Sequence, residues 1–422
     1  MQKITVTRND NLYEAFADIA QAADGTLVCT YRESMCHSYR PFSRIVIRRS
    51  FDRGRSWGPR QVVCECSRED TEAGRGMLNC SRLTACGDGT LLLIVDAIDA
   101  ITFADLLEPD PCRNLIFRSR DCGATWEGPE ETGITAGIVP SIAELSSGDL
   151  LVGVTEQFEG NDPGRGFSES QTIYRSTDGG ATWEGPTVIP NPSAPTANGE
   201  KWRLNEGDFA EMDDGRVVVY MREDGERLSG WKSLSSDAGC TWSEPVRTQM
   251  PCCLGRPSVG RLRSGEVALT YRMAVGRSTS LALYVETAAE AVRGLGGVGA
   301  RGMDDYSSTA ESRFAVIDND RSPWADSGYS GWVQLEDGDL FVVNYVNDDA
   351  PRAFVRGYVV GREDWYLYPE GQILSELPYD WEGAYVGQMQ DLARRQQAWV
   401  DAQDWSGQVL GRKKLPSARR AP

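Results

Sequence analysis

The sequence contains a single histidine, His37, among 422 residues. Zinc sites in proteins usually draw on several histidine and cysteine ligands at short, regular spacings. The eleven cysteines do not supply such spacings, because Cys64-Glu65-Cys66 and Cys252-Cys253 lack the intervals of metal-binding motifs. We therefore expect neither a metal centre nor any other cofactor.

Basic residues are also scarce. Forty-four Lys and Arg against 62 Asp and Glu give a formal net charge of -18. Because nucleic-acid binding depends on cationic neutralisation of phosphates, this balance excludes nucleic acid as an expected partner. The same charge opposes anionic glycans at long range, so recognition of a carboxylate would need arginines concentrated in a cleft.

No apolar run in the sequence approaches the length of a membrane-spanning helix, so no membrane association is expected. Residues 1–6 lack the basic and apolar regions of a signal peptide. Together with an odd number of cysteines, this favours a reducing, cytoplasmic location, although an export signal trimmed from the chain stays open. The oligomeric state does not follow from the sequence.

What the sequence does contain is the octapeptide pattern S-x-D-x-G-x-[TS]-W. Four copies, at 50–57, 119–126, 176–183 and 235–242, follow one another at intervals of roughly 57 to 69 residues. Within such a turn the Asp accepts backbone N–H groups, the Gly allows positive φ, and the Thr or Ser adds a hydroxyl bond. The Trp then leaves the turn as a large apolar anchor, so the pattern predicts a repeat architecture.

A second repeat interleaves with the first and consists of a polar turn followed by an apolar strand. Its six copies begin at Asp24, Asp88, Gly148, Asp214, Ser264 and Asp337. Each predicts a hairpin leading into a strand that is buried on both faces. About four strands fit in each period, so we predict an all-β, six-bladed β-propeller of four-stranded antiparallel blades, with residues 4–6 as a candidate closing strand.

The predicted propeller covers residues 1–380. Helix-forming residues from Gln388 to Val400 predict a short C-terminal helical extension, which we place at 381–411. The remaining residues, 412–422, are predicted to be a disordered tail.

With these two repeats, residues 4 to 370 resemble the sialidase superfamily, whose six-bladed propellers carry the same octapeptide, the Asp box. The resemblance implies a fold more firmly than an activity, since Asp boxes also occur in binding propellers and in other glycosidases. Sialidases use a tyrosine nucleophile that a neighbouring glutamate deprotonates. Three arginines hold the substrate carboxylate, and an aspartate on a blade-one loop is the general acid and base.

Several positions match that set. Tyr329, in Ser327-Gly328-Tyr329-Ser330, resembles the nucleophile; the alternative is an aromatic lining of the central tunnel. Glu206 and Arg222 resemble the activating glutamate and one substrate arginine, because an innermost-strand start and a second-strand end share one rim; the alternative is a surface ion pair. Either Arg272 or Arg256 in blade five resembles a further substrate arginine, and the sequence does not choose between them.

Two positions depart from the family. Ala15 stands where the first arginine is expected, and Arg32, at the end of the next strand, is the candidate to reach the same space. His37 stands at the place of the acid/base aspartate. Imidazole is a competent general acid and base near neutral pH, but a lone histidine can also be purely structural.

Three functions fit these residues. The first is an exo-acting, retaining, sialidase-like hydrolase of a carbohydrate with an acidic or deoxy sugar, for which true sialidase activity is in doubt. The second is a polysaccharide lyase that uses His37 and Tyr329 on a uronic acid. The third is a non-catalytic carbohydrate- or protein-binding propeller, in which Trp202, Trp231 and Trp332 would be stacking platforms.

Overall fold

Six four-stranded antiparallel sheets make up the main unit of the protein, in a computed structural model. The structure describes residues 1–37, 42–67, 69, 77–98, 112–135, 137–159, 167–225, 229–275, 278–293, 312–365 and 381–402. The predicted six-bladed, four-stranded architecture is confirmed, and so is a C-terminal helix. Blades one to five each use four consecutive strands, from β2–β5 to β18–β21.

The bounds of the elements follow in chain order. The strands are β1 (Gln2–Thr7), β2 (Tyr13–Gln21), β3 (Leu27–Ser34), β4 (Ser43–Ser50), β5 (Gln61–Cys66), β6 (Met77–Ala85), β7 (Leu91–Ile98), β8 (Cys112–Ser119), β9 (Glu127–Glu131), β10 (Ile138–Glu144), β11 (Leu150–Glu159), β12 (Phe167–Ser176), β13 (Glu184–Val188), β14 (Leu204–Glu211), β15 (Val217–Glu223), β16 (Ser229–Ser235), β17 (Val246–Pro251), β18 (Ser258–Arg261), β19 (Val267–Val275), β20 (Ser278–Glu286), β21 (Ser312–Asn319), β22 (Ser327–Gln334), β23 (Leu340–Val346) and β24 (Phe354–Val360). The helices are α1 (Ala288–Ala291), α2 (Arg362–Trp365) and α3 (Trp381–Asp401).

The sixth blade takes its outermost strand from the start of the chain. β1 pairs antiparallel with β24, with Ile4 opposite Gly357, and completes the order β1-β24-β23-β22. The expectation for residues 4–6 is therefore confirmed. Because the first strand belongs to the last blade, the two ends of the propeller are joined by a hydrogen-bonded ladder.

The second strands are buried on both faces, as predicted. Every residue of β3, β7 and β23 is buried. Their apolar side chains pack between neighbouring sheets: Val28 and Ile47 of blade one, for example, share a core cluster with Leu91 and Leu93 of blade two. The hydrophobic core is therefore the set of layers between blades.

The four Asp boxes connect the third and fourth strands of blades one to four. In the second copy, the Thr125 amide and hydroxyl donate to the Asp121 carboxylate at 2.8 and 2.6 Å, and the Gly123 amide donates to the Ser119 hydroxyl at 2.9 Å. The hydroxyl bond from Thr125 is the main reason why the pKa of Asp121 falls to about 2. These turns lie at the ends of third strands, on the face opposite to the innermost-strand starts, so the Asp box is scaffold.

The first Asp box packs directly on the neighbouring blade. Gly54 has φ +83°, and a β-carbon there would come within 2.2 Å of the Phe341 ring of blade six. Gly54→Ala is therefore expected to cost about 1–2 kcal/mol of backbone strain and about 1–3 kcal/mol of overpacking. Gly25→Ala is the matched control, because Gly25 has φ +86° but no atom within 4 Å of the added carbon. Urea denaturation of both variants measures the difference, and equal losses would contradict the packing role.

The carboxyl group of Glu14 ties the segment after β1 to β2. Its oxygens accept the Thr7 hydroxyl at 2.8 Å and the Asn9 amide at 3.0 Å. Burial raises the pKa of Glu14 to about 7, and the Thr7 hydrogen bond opposes that rise. The folded protein therefore keeps this proton at a pH where an unfolded glutamic acid would lose it.

Because the pKa of Glu14 is higher in the folded than in the unfolded protein, the free energy of unfolding decreases as the pH rises. The Glu14 contribution is fully present below the unfolded pKa of 4.5 and is lost as the pH rises through about 7. We expect a loss of about 2–3 kcal/mol in unfolding free energy across that window, and Glu14→Gln is expected to remove it. Glu65→Gln in the same blade is the exposed control. Parallel stability curves for the wild type and Glu14→Gln would contradict this account.

Residues 1–367 form one compact unit and residues 368–422 a second. Of the second unit the structure describes residues 381–402, almost all of them in α3. The proposed tail at 412–422 lies outside the described residues, as does the end of the 381–411 extension. None of the helices in the described ranges is long and apolar enough to cross a membrane.

Candidate active site

The innermost strands of several blades share a local irregularity near their first residues. In β2, β10, β14 and β22 the register slips by one residue, and a residue with positive φ falls at the slip. These residues are Phe16, Val139, Glu206 and Gly328. A bulge re-aims side chains that a regular strand would place against a neighbouring sheet. The bulges therefore bring residues of different blades to one rim of the central channel.

Side chains of blade three fix the bulge of blade four that carries Glu206. The Glu206 amide donates to the Thr155 hydroxyl at 3.0 Å, and the Gly207 amide donates to the Gln171 side-chain oxygen at 2.6 Å. Glu206 has φ +50°, which a non-glycine residue adopts only when the surrounding structure holds it there. The hydrogen bonds to Thr155 and Gln171 hold the backbone in this conformation, so they fix the position of the Glu206 carboxylate.

Tyr329 and Glu206 meet across the channel. The Tyr329 hydroxyl donates a hydrogen bond to Glu206 Oε1. Arg222 Nη1 donates to the same oxygen at 2.8 Å and to the Tyr329 oxygen at 3.4 Å. Glu206 Oε2 is buried without a hydrogen-bond partner among the described residues. The structure thus brings together a hydroxyl, a base that can take its proton, and a cation beside both.

The surroundings keep Tyr329 protonated at rest. Burial raises its pKa well above the ordinary range, and the charge of Glu206 raises it further, while Arg222 and Arg272 act in the opposite direction. The guanidinium carbons of Arg256 and Arg272 lie 5.2 and 5.0 Å from the centre of the Tyr329 ring. Negative charge that develops on the phenol oxygen therefore meets cations that are already in place.

The side chains of Arg222 and Arg272 are both occupied within the protein. Arg222 Nε and Nη2 donate to Asp224 Oδ1 at 2.9 and 2.6 Å. Arg272 Nε donates to the Ser327 carbonyl, and its Nη2 donates to the Tyr345 hydroxyl at 2.6 Å. The Nε–Nη2 edge is one of the two guanidinium edges that can bind a carboxylate with two parallel bonds, and neither arginine leaves that edge unoccupied.

His37 lies in a separate cluster at the rim. Its Nδ1 is 2.8 Å from Asp326 Oδ2 and 3.0 Å from the Tyr13 hydroxyl. Asp326 also accepts the hydroxyls of Tyr13 at 2.5 Å and Tyr345 at 2.8 Å. The Phe16 ring is 5.1 Å from the imidazole and 5.2 Å from the Tyr329 ring, so it contacts both clusters. Sequence reasoning missed Asp326, Tyr13 and Tyr345, although Asp326 stands only three residues before Tyr329.

Arg32 and Arg256 lie beneath this rim and are completely buried. Arg32 pairs with Ala15 in the β2–β3 ladder, so it lies beside the position where the resemblance places the first arginine. Its guanidinium packs 4.4 Å from the Phe16 ring centre and donates to Asn79 and to the His37 carbonyl at 3.0 and 3.1 Å. Of the two blade-five arginines, only Arg272 keeps any exposure. Arg32 and Arg256 can therefore act on a ligand only through the side chains above them.

A further arginine, which sequence reasoning did not single out, contacts residues of four other blades. Arg82 forms ion pairs with Asp208 and, at 3.6 Å, with Asp18. Its remaining bonds go to the carbonyls of Ser330 and Pro257 at 3.4 and 3.3 Å. Arg82 therefore links five blades through one buried side chain.

Two of the three tryptophans considered as stacking platforms for a ligand, Trp202 and Trp231, are buried in the core instead. Their ring centres are 4.9 Å apart, and Arg247 covers both rings. Trp332 is partly buried and donates its indole N–H to the Ser258 carbonyl at 2.9 Å. The sequence alone does not tell whether a tryptophan packs in the core or stacks on a ligand, and here two of the three tryptophans pack in the core.

Within the described ranges, no group of three or more His, Cys, Asp or Glu side chains is placed to hold a metal ion.

The closed ring of six blades and its four Asp boxes define an Asp-box β-propeller. The BNR repeat-like domain family matches residues 20–293, well over half of the chain. The chain therefore belongs to that family.

Solved structures support the same fold at low sequence identity. A protein of unknown function from Dyadobacter fermentans has a TM-score of 0.65 and 20% identity, over 85% of this chain and 97% of its own. The intramolecular trans-sialidase of Ruminococcus gnavus gives 0.57 and 12%, over 85% and 96%. The α-L-arabinanase of Penicillium chrysogenum gives 0.53 and 14%, over 85% and 98%. Comparison with curated protein sequences gave no match. At these identities the likeness establishes the fold alone.

Proposed function

We propose that the protein is an exo-acting, retaining glycoside hydrolase with Tyr329 as the nucleophile and Glu206 as its base. The observation that carries this proposal is the contact between the Tyr329 hydroxyl and Glu206 Oε1, with Arg222 bonded to both groups. The bonds from Arg222 to both groups place a fixed cation beside the hydroxyl and the carboxylate, which suits transfer of the phenolic proton from Tyr329 to Glu206. Tyr329 is 6% exposed, and such an enclosed group suits the end of a glycan better than its interior.

The first half-reaction transfers the sugar to the protein. Glu206 takes the phenolic proton while the Tyr329 oxygen bonds to the anomeric carbon, and the bond from that carbon to the leaving oxygen breaks. His37 supplies a proton to the leaving oxygen. In the second half-reaction, His37 takes a proton from water as the water oxygen bonds to the anomeric carbon. The carbon–tyrosine bond breaks in the same step, and Glu206 returns the proton to Tyr329.

The arginines favour a sugar without a carboxylate on its reacting carbon. Ala15 replaces one arginine of the sialidase set, and Arg222 and Arg272 use their Nε–Nη2 edges on groups of this chain. Sialosides carry a carboxylate on that carbon, whereas uronic acids carry theirs elsewhere and deoxy sugars have none. We therefore propose an acidic or deoxy aldose as the substrate class. Among the similar structures, the α-L-arabinanase was solved with arabinobiose, a sugar that carries no carboxylate on its anomeric carbons.

A panel of 4-nitrophenyl glycosides tests the proposal. It should contain α- and β-linked neutral, deoxy and uronic sugars, together with an α-sialoside. We expect release of 4-nitrophenol from at least one aldose glycoside, with a kcat/KM at least about 10²-fold above that for the sialoside. No release from any glycoside would refute the hydrolase. An unsaturated product that absorbs in the near ultraviolet would instead establish the lyase.

A further inference from the structure

The carboxylate of Asp326 joins residues of four segments at the rim of the candidate site. Oδ2 accepts the Tyr13 hydroxyl of β2 at 2.5 Å and lies 2.8 Å from His37 Nδ1, which follows β3. Oδ1 accepts the Tyr345 hydroxyl of β23 at 2.8 Å and lies 3.9 Å from Arg272 Nη2. Burial raises the pKa of Asp326, but His37, Arg272 and Tyr13 outweigh burial and bring it well below its usual range.

These contacts determine which imidazole nitrogen carries the hydrogen. The proton of the Tyr13 hydroxyl is directed to Asp326 Oδ2, and an ionised carboxylate can only accept. An unprotonated Nδ1 would place its lone pair against this carboxylate at 2.8 Å, which is repulsive. The arrangement is therefore satisfied only when Nδ1 carries a hydrogen and donates it to Asp326.

The backbone that presents Asp326 is itself fixed by Asp320. The Asp320 carboxylate accepts the amides of Ser322 at 2.8 Å, Asp326 at 3.1 Å, Asn347 at 3.1 Å and Asp348 at 3.0 Å. Four backbone bonds to one buried carboxylate hold the loop before β22 in one conformation. The edge of the Phe16 ring limits the imidazole from another side, at an interplanar angle of 86°.

We propose that Asp326 is the positioning residue for His37: it keeps a hydrogen on Nδ1 whether the imidazole is charged or neutral, so the neutral ring is the Nδ1–H tautomer. The charged ring then gives its Nε2 proton to the leaving oxygen, and the neutral ring takes a proton from water at Nε2. This inference rests on the proposed function, because it assigns the acid/base role to His37. Tyr13 and Tyr345 assist by directing both carboxylate oxygens. Asp326 needs no contact with the substrate to act in this way.

The single histidine makes the test direct. Protein labelled with ¹⁵N-histidine gives one pair of ring-nitrogen signals, from His37 alone, and at about pH 8 their shifts report the tautomer. We expect the Nδ1–H form in the wild type and a major fraction of the Nε2–H form in Asp326→Asn. The same variant is expected to lose at least about 10²-fold in kcat on a glycoside that the wild type cleaves, with little change in KM.

Asp318→Asn is the matched control. Asp318 is also a carboxylate that accepts a tyrosine hydroxyl and an arginine, from Tyr358 and Arg356, but it does not bond to His37. This variant should keep the wild-type tautomer and kcat. An Nε2–H tautomer in the wild type, or an unchanged tautomer in Asp326→Asn, would overturn the positioning role even in an active hydrolase. If no glycoside is cleaved although the tautomer is as expected, the proposed function fails and the acid/base assignment fails with it.

Discussion

Tyr329→Phe is expected to lower kcat/KM by at least about 10³-fold on a glycoside that the wild type cleaves, equivalent to about 4 kcal/mol of transition-state stabilisation. Phenylalanine keeps the ring that packs against Phe16, Arg256 and Arg272 but removes the atom that bonds to the anomeric carbon. The loss should appear in kcat, because the hydroxyl acts on the reacting carbon rather than in ground-state binding. Steady-state kinetics with the 4-nitrophenyl glycoside measures both constants.

Tyr174→Phe is the control for this substitution. Tyr174 also donates its hydroxyl to a glutamate, Glu156, but it lies on the third strand of blade three. This variant should keep wild-type kinetics to within about twofold. A loss of less than tenfold in Tyr329→Phe would show that the hydroxyl is not the nucleophile.

Arg82→Met is expected to destabilise the propeller by about 3–5 kcal/mol, because it leaves the carboxylates of Asp18 and Asp208 buried without their cation. Burial already raises the pKa of Asp18, so the loss of Arg82 should cause that group to take up a proton on folding. Chemical denaturation at pH 7 measures the loss. The deficit should shrink as the pH is lowered towards 5, because protonation then removes the buried charge.

Arg261→Met provides the comparison at the surface. Arg261 forms a two-point ion pair with Asp213 at 2.6 and 2.8 Å, but that aspartate is solvent-exposed. Its removal should change stability little, since water solvates the remaining carboxylate. Similar losses in the two variants would contradict the role assigned to Arg82.

The sequence predicted the fold because the fold is periodic. Six turn-and-strand units and four Asp boxes fix the number of blades, and each unit has the same local physics. The pairing of Glu206 with Arg222 could be predicted for the same reason, since their positions in blade four follow from strand order alone. The contact between Glu206 and Tyr329 needed the resemblance as well, because it joins two blades.

What the sequence did not reveal lies outside the repeat. Asp326 belongs to an inter-blade connection, and its partners Tyr13 and His37 are about 300 residues away in sequence, so no local pattern links them. The bulges at Phe16 and Glu206 also could not be predicted from the sequence, because no glycine marks their positive-φ positions. The burial of the arginines could not be predicted either. Arginine is usually a surface residue, and only the packing of neighbouring blades encloses Arg256.

The central claim is a covalent sugar–tyrosine intermediate, and trapping it is the most direct test. A glycosyl fluoride of the cleaved sugar, with fluorine next to the anomeric carbon to slow the second half-reaction, should add the mass of one glycosyl group to the intact protein. Peptide mapping by mass spectrometry should place that group on Tyr329, and Tyr329→Phe should stay unlabelled. A label on Glu206, or an active hydrolase that is never labelled, would contradict the account.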